Sequence, residues 1–111
     1  MTQIAMQGPY RLDFDHVQQC TRNVTSGVYL LGETNTSGKF LITFVGADFE
    51  DLRSNLINRI GTAPMFKLHP TSGAAEAFIK HCILFHTFQP SGNYAHPERP
   101  AGSRIPCPYC R

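Results

Sequence analysis

The sequence has no tryptophan and no uninterrupted apolar run approaching about 18 residues, so nothing in it can serve as a membrane span. Met1 to Tyr10 has neither a basic stretch nor an apolar core, which reads as the absence of a secretory leader and as a cytoplasmic chain. Charge is sparse and nearly balanced: ten Lys and Arg against eight Asp and Glu leave +2, too little by itself to argue for nucleic acid. Nine glycines and eight prolines are slightly many, but no stretch is biased enough to read as low-complexity. What the chain does have is 111 residues, 41% of them hydrophobic, with eight Phe and four Tyr. That is enough for one domain, 1–111, around a single modest core.

Cysteine is scarce but placed suggestively. In a reducing compartment the Cys107-Pro-Tyr-Cys110 spacing favours metal or redox chemistry over a structural bridge. Cys82 and His86, four apart on a helical pattern, can face one ion, so Cys82, His86, Cys107 and Cys110 together offer the four donors of a structural zinc site. His96 competes as a ligand. The alternative is a small buried hydrophobe at Cys82, a core histidine at His86 and two plain thiols near the C-terminus. Cys20 stands outside either scheme as a packing thiol. The triplets Asn23-Val24-Thr25 and Asn35-Thr36-Ser37 are chance glycosylation matches without a leader.

Periodicity gives the rest of the organisation. Within an N-terminal extension, 1–25, Tyr10, Leu12 and Phe14 alternate with charged residues as in a short strand. Gly27–Leu31 and Phe40–Val45 read as strands joined by a polar turn from Glu33 to Gly38, hence an antiparallel hairpin. Phe49, Leu52, Leu56 and Ile60 then recur at helical spacing, with Asp48 as N-cap and Gly61 as stop. Met65–His69 alternates as a third strand. A second helix runs from a Ser72 cap to Phe88, with Glu76, Lys80, Ile83 and Thr87 facing solvent and Ala74, Phe78, His81, Phe85 and Phe88 facing the core. Residues 90–111 carry five prolines and no period, an irregular arm. The fold class is therefore α/β (α+β): a small three-stranded antiparallel sheet with two main helices in a β-β-α-β-α core, 26–89.

Gly27-Val28-Tyr29, then Phe44-Val45-Gly46, then a helix bearing Leu52 and Leu56, resembles the GIY-YIG nuclease superfamily. With Phe78 to His86, the His96-Pro97-Glu98-Arg99-Pro100-Ala101-Gly102-Ser103 arm and Cys107-Pro108-Tyr109-Cys110, the chain looks like small bacterial GIY-YIG-like proteins over about residues 26 to 110. The resemblance implies hydrolysis of phosphodiesters with one divalent metal, two motif tyrosines, a helix arginine and a metal-binding glutamate. Carried across, those roles fall on Tyr29, Phe44, Asn55 and His81. Phe44 has no hydroxyl, Asn55 no fixed charge and His81 no hard anionic oxygen, while Arg59, one turn beyond Asn55, is the nearest replacement cation. The expectation is a degenerate site retained for binding DNA, RNA or a protein partner, in an accessory, immunity or regulatory role. The rivals are a working magnesium- or manganese-dependent endonuclease with a remodelled site, and a zinc-stabilised protein-interaction domain.

Overall fold

The computed structural model describes residues 4–90, 92, 96–97, 99 and 105–108. Its elements in chain order are β1 (Gln7–Arg11), α1 (Phe14–Cys20), β2 (Gly27–Thr34), β3 (Phe40–Asp48), α2 (Leu52–Ile57), β4 (Met65–Pro70) and α3 (Ala74–Phe88). The mixed α+β class stands as the sequence implies, but the sheet has four strands, not three, in the order β1-β4-β2-β3 with every pair antiparallel. The extra strand lies earlier than the alternation suggests. Phe14 is not its last inward residue but the start of α1, because Asp13 accepts the His16 N–H at 2.8 Å and caps a helix there. No helix among the described residues is long and apolar enough to cross a membrane.

β2 is central, and its six residues from Gly27 to Gly32 are all buried, so both faces of the sheet are covered. Strand alternation divides them. Tyr29 and Leu31 join Leu12, Val17, Leu52, Leu56, Phe66 and Leu68 in the main core beneath α1 and α2. Val28 and Leu30 pack with Val45 and with Leu84 of α3 on the other face. Leu52 and Leu56, four apart on α2, have no exposed surface, and truncating such a leucine typically costs about 2–5 kcal/mol. The β2–β3 register slips between Leu31 and Gly32, leaving Thr43 as the extra residue of a bulge.

Two caps differ from expectation. Asp48 closes β3 instead of opening α2; Asp51 is the N-cap, accepting from the Ser54 N–H at 3.2 Å, and the helix is shorter than its apolar period suggests. At α3 the cap residue is Gly73, and the Ser72 N–H is bound instead by the Glu76 carboxylate at 2.6 Å. Phe88, expected in the core, is 45% exposed at the last turn.

Candidate functional site

The site grows from a cross-strand pair. Tyr29 of β2 lies directly opposite Gly46 of β3, and a Cβ at Gly46 would overlap Cζ and the hydroxyl of Tyr29. The glycine is what lets the phenol lie flat across the neighbouring strand and reach α2. There Tyr29 donates to Asn55 Oδ1 at 2.5 Å and accepts from Arg59 Nε at 3.3 Å. Asn55 in turn donates from Nδ2 to Asp48 Oδ2 at 3.1 Å and to Ala47 O at 3.4 Å. The Arg59 guanidinium sits over the Phe44 ring, 4.2 Å from its centroid. A directed chain of donors, Arg59 to Tyr29 to Asn55, thus ends on the Asp48 carboxylate.

Electrostatics fix the protonation states along that chain. Burial pushes the Tyr29 hydroxyl up, an effect only partly opposed by Arg59, so it remains a neutral donor at ordinary pH. Burial also works against the Asp48 carboxylate, but the Asp51 and Glu50 N–H groups and the Asn55 amide outweigh it and hold its pKa below the usual range.

Arg59 separates two clefts. One, of about 360 Å³, is lined by Asp48, Asp51, Ser54, Asn55, Asn58 and Arg59. The other, of about 230 Å³, is lined by Leu31, Thr43, Phe44, Arg59, Thr62 and Gly92, with no carboxylate. Arg53 is turned away, donating from Nε to Thr21 Oγ1 at 3.1 Å.

Tyr29, Phe44, Asn55 and Arg59 therefore meet, and His81 does not join them. It belongs to α3, which packs on the opposite face of the sheet, and its Nε2 donates to Val45 O at 3.3 Å. Burial, with a smaller contribution from His96, lowers its pKa to about 4, so it is a neutral imidazole. Strand alternation is the reason for the separation: Tyr29 faces α2 while its neighbours Val28 and Leu30 face α3.

A second cluster forms where the C-terminal arm meets α3. Donor atoms of Cys82, His96 and Cys107 lie within 4.8 Å of one another, a group that can hold a metal ion. His96 Nε2 is 3.3 Å from Cys107 Sγ, and its Nδ1 donates to Pro97 O at 2.9 Å. Cys82 and Cys107 are buried against Phe78, with Phe49 and Ile105 alongside. The competing ligand His96 thus stands with the two cysteines. His86 is instead packed ring against ring, its centroid 5.2 Å from His96 and 5.3 Å from Phe85. Cys110 lies outside the described residues. Cys20 is the half-buried packing thiol expected, its pKa raised by burial.

Sequence reasoning missed two participants. Asp48 was assigned to a cap, although its place at the end of the Val-Gly strand put it beside Asn55. Gly92, whose N–H donates to Thr43 O at 2.7 Å, left no local signal. Set against protein-family models, curated proteins and solved structures, the chain matches none.

Proposed function

We propose that this chain is a binding module on a GIY-YIG-like framework, one that takes the phosphate backbone of DNA or RNA at Arg59 and does not cleave it. The observation that carries the reading is the setting of Arg59. Its Nε is spent on Tyr29 and its plane is held on Phe44, while the side chain borders a cleft on either side. A guanidinium fixed in this way presents its remaining N–H groups for bidentate contact with a phosphate. The cleft with Asp48 and Asp51 on its wall repels an anion, so the cleft of Thr43, Phe44 and Thr62 is the one assigned to phosphate. The loss of hydrolysis is supported by the Tyr29 hydroxyl, which is enclosed and already both donating and accepting, and by the sheet that stands between it and His81.

The test is anisotropy of labelled DNA and RNA oligonucleotides across salt, alongside plasmid and RNA incubations with magnesium, manganese and zinc. Affinity should fall steeply with salt, and Arg59→Ala should weaken it roughly tenfold and reduce the salt slope by about one. Arg59→Lys should recover the slope without the full affinity. A flat salt response would favour a protein partner, and metal-dependent cleavage that Arg59→Ala abolishes would make the chain an enzyme.

For a metal ion held among the cysteines and histidines of the chain, as the Cys82, His96 and Cys107 group can hold one, we infer zinc. Two thiolates and an imidazole are soft to borderline donors that match zinc and suit magnesium poorly.

A further inference from the structure

The arm after α3 contains little to hold it by apolar burial alone: of its described residues, Pro90, Pro97 and Cys107 are buried, whereas His96, Arg99, Pro106 and Pro108 are exposed. Yet Cys107 and Ile105 lie against Phe78 and Cys82 of α3, forming a cluster separate from the two main cores. Something must offset the conformational entropy of ordering a proline-rich segment there.

We propose that Cys82, His96 and Cys107 are protein ligands of one structural metal centre that fastens this arm to α3, an inference that rests on the reading of the ion as zinc. Three features of the geometry argue for coordination. The first is distance. Zinc–sulfur and zinc–nitrogen bonds of roughly 2.3 and 2.1 Å, at tetrahedral angles, place an S and an N ligand about 3.6 Å apart and two sulfurs about 3.8 Å apart. His96 Nε2 and Cys107 Sγ are 3.3 Å apart, and all three donors fall within 4.8 Å, so small side-chain adjustments bring all three to bonding distance of one ion.

The second is the histidine tautomer. A carbonyl can only accept, so the 2.9 Å contact with Pro97 O puts a His96 proton on Nδ1 and makes Nε2, which faces Cys107 Sγ, the nitrogen available to a metal. A ligating histidine is ordinarily oriented by this kind of backbone acceptor on its other nitrogen. The third is the surroundings. Cys82 is fully buried and Cys107 is 4% exposed, beside Phe78, Phe49 and Ile105, while the Phe85 and His86 rings pack on His96 at 5.6 and 5.2 Å. An apolar shell of this kind keeps competing water from the thiolates.

Such a centre also bears on the contact that the arm makes with the sheet at Gly92. Gly92 is bonded to Thr43 of β3 and lines the phosphate cleft, and His96 lies just downstream, so one ion secures both the α3 contact and the wall of that cleft.

The test uses the full chain. Metal content is measured after purification, and cobalt(II) is then exchanged in to read thiolate-to-cobalt charge transfer and the intense visible bands of a tetrahedral site. One ion per chain is expected. Cys107→Ser and His96→Gln, both on the arm and outside the sheet and helices, should each weaken cobalt affinity by roughly 100-fold or more while far-ultraviolet dichroism is retained. Zinc should shield Cys82 and Cys107 from alkylation in the native chain, and chelation should lower its Tm but not that of Cys107→Ser. A chain that carries no metal and gives no thiolate band overturns both the zinc reading and the centre. One bound ion whose affinity and spectrum are untouched by both arm substitutions overturns this ligand set and leaves the zinc reading in place.

Discussion

Tyr29 is where a single atom decides most. Its ring occupies the space that a side chain at position 46 would need, so Gly46→Ala must displace a fully buried tyrosine from its bonds with Asn55 and Arg59. Overpacking of this kind costs about 1–3 kcal/mol, to be read as a fall in the urea midpoint at constant m. Tyr29→Phe keeps the packing but removes the donor to Asn55 and the acceptor of Arg59, and should cost about 1–2 kcal/mol. An unchanged midpoint in either variant would contradict the network. Tyr29, Phe44 and Asn55 were named through the GIY-YIG resemblance and not through any local pattern, whereas Arg59 followed from helical spacing, one turn beyond Asn55. The separation of His81 from them was not legible in the sequence, since helical spacing shows which side of α3 is apolar but not which face of the sheet that side will cover. Nor was the choice of His96 over His86 beside Cys82, which depends on how a segment without periodicity folds back.

Among elements, legibility followed burial. β2, β3, β4 and α3 carry strong apolar periods and were all found, β4 and α3 with nearly their observed bounds, whereas β2 and β3 each run three residues past the expected Leu31 and Val45, so that Glu33 and Thr34 belong to β2 and not to the turn. β1 is exposed at every residue except half-buried Tyr10, and α1 buries only Val17, so the one pattern this region offers, the alternation from Tyr10 to Phe14, is displaced from β1 and runs into α1. α3 owes its start to Glu76, whose carboxylate binds the Ser72 N–H and pairs with Lys80 at 3.0 Å. The Ser72 N–H, with Lys80 beside it, holds that carboxyl down at about 2. Because the folded value lies below the unfolded value of roughly 4.3, the group stabilises the fold above the unfolded pKa, and the contribution disappears as pH falls through the folded one. Glu76→Gln should therefore be less stable than the native chain at neutral pH, with the gap narrowing from about pH 4.5 to pH 2. Denaturant midpoints taken across that range check the sign, and a gap that widened on acidification would refute the assignment.

For the molecule as a whole, strand order sets the ranking of local stability. β2 and β4 are bonded on both sides, β1 and β3 on one. Amide exchange should be slowest through Val28–Leu31 and Phe66–Leu68, and much faster at Tyr10 and Arg11, because a strand with one neighbour opens without breaking the core. Equal protection in β1 would mean that the sheet opens as one unit. The outer margin of β3 has a different consequence. There the Thr43 carbonyl is occupied by the Gly92 N–H, so an acceptor that would otherwise be open to a second molecule is already taken. A chain ended at Gln89 would free that carbonyl on a molecule that also exposes Leu41 and Phe88. Its solutions should scatter light and form stacked oligomers at concentrations where the intact protein stays clear.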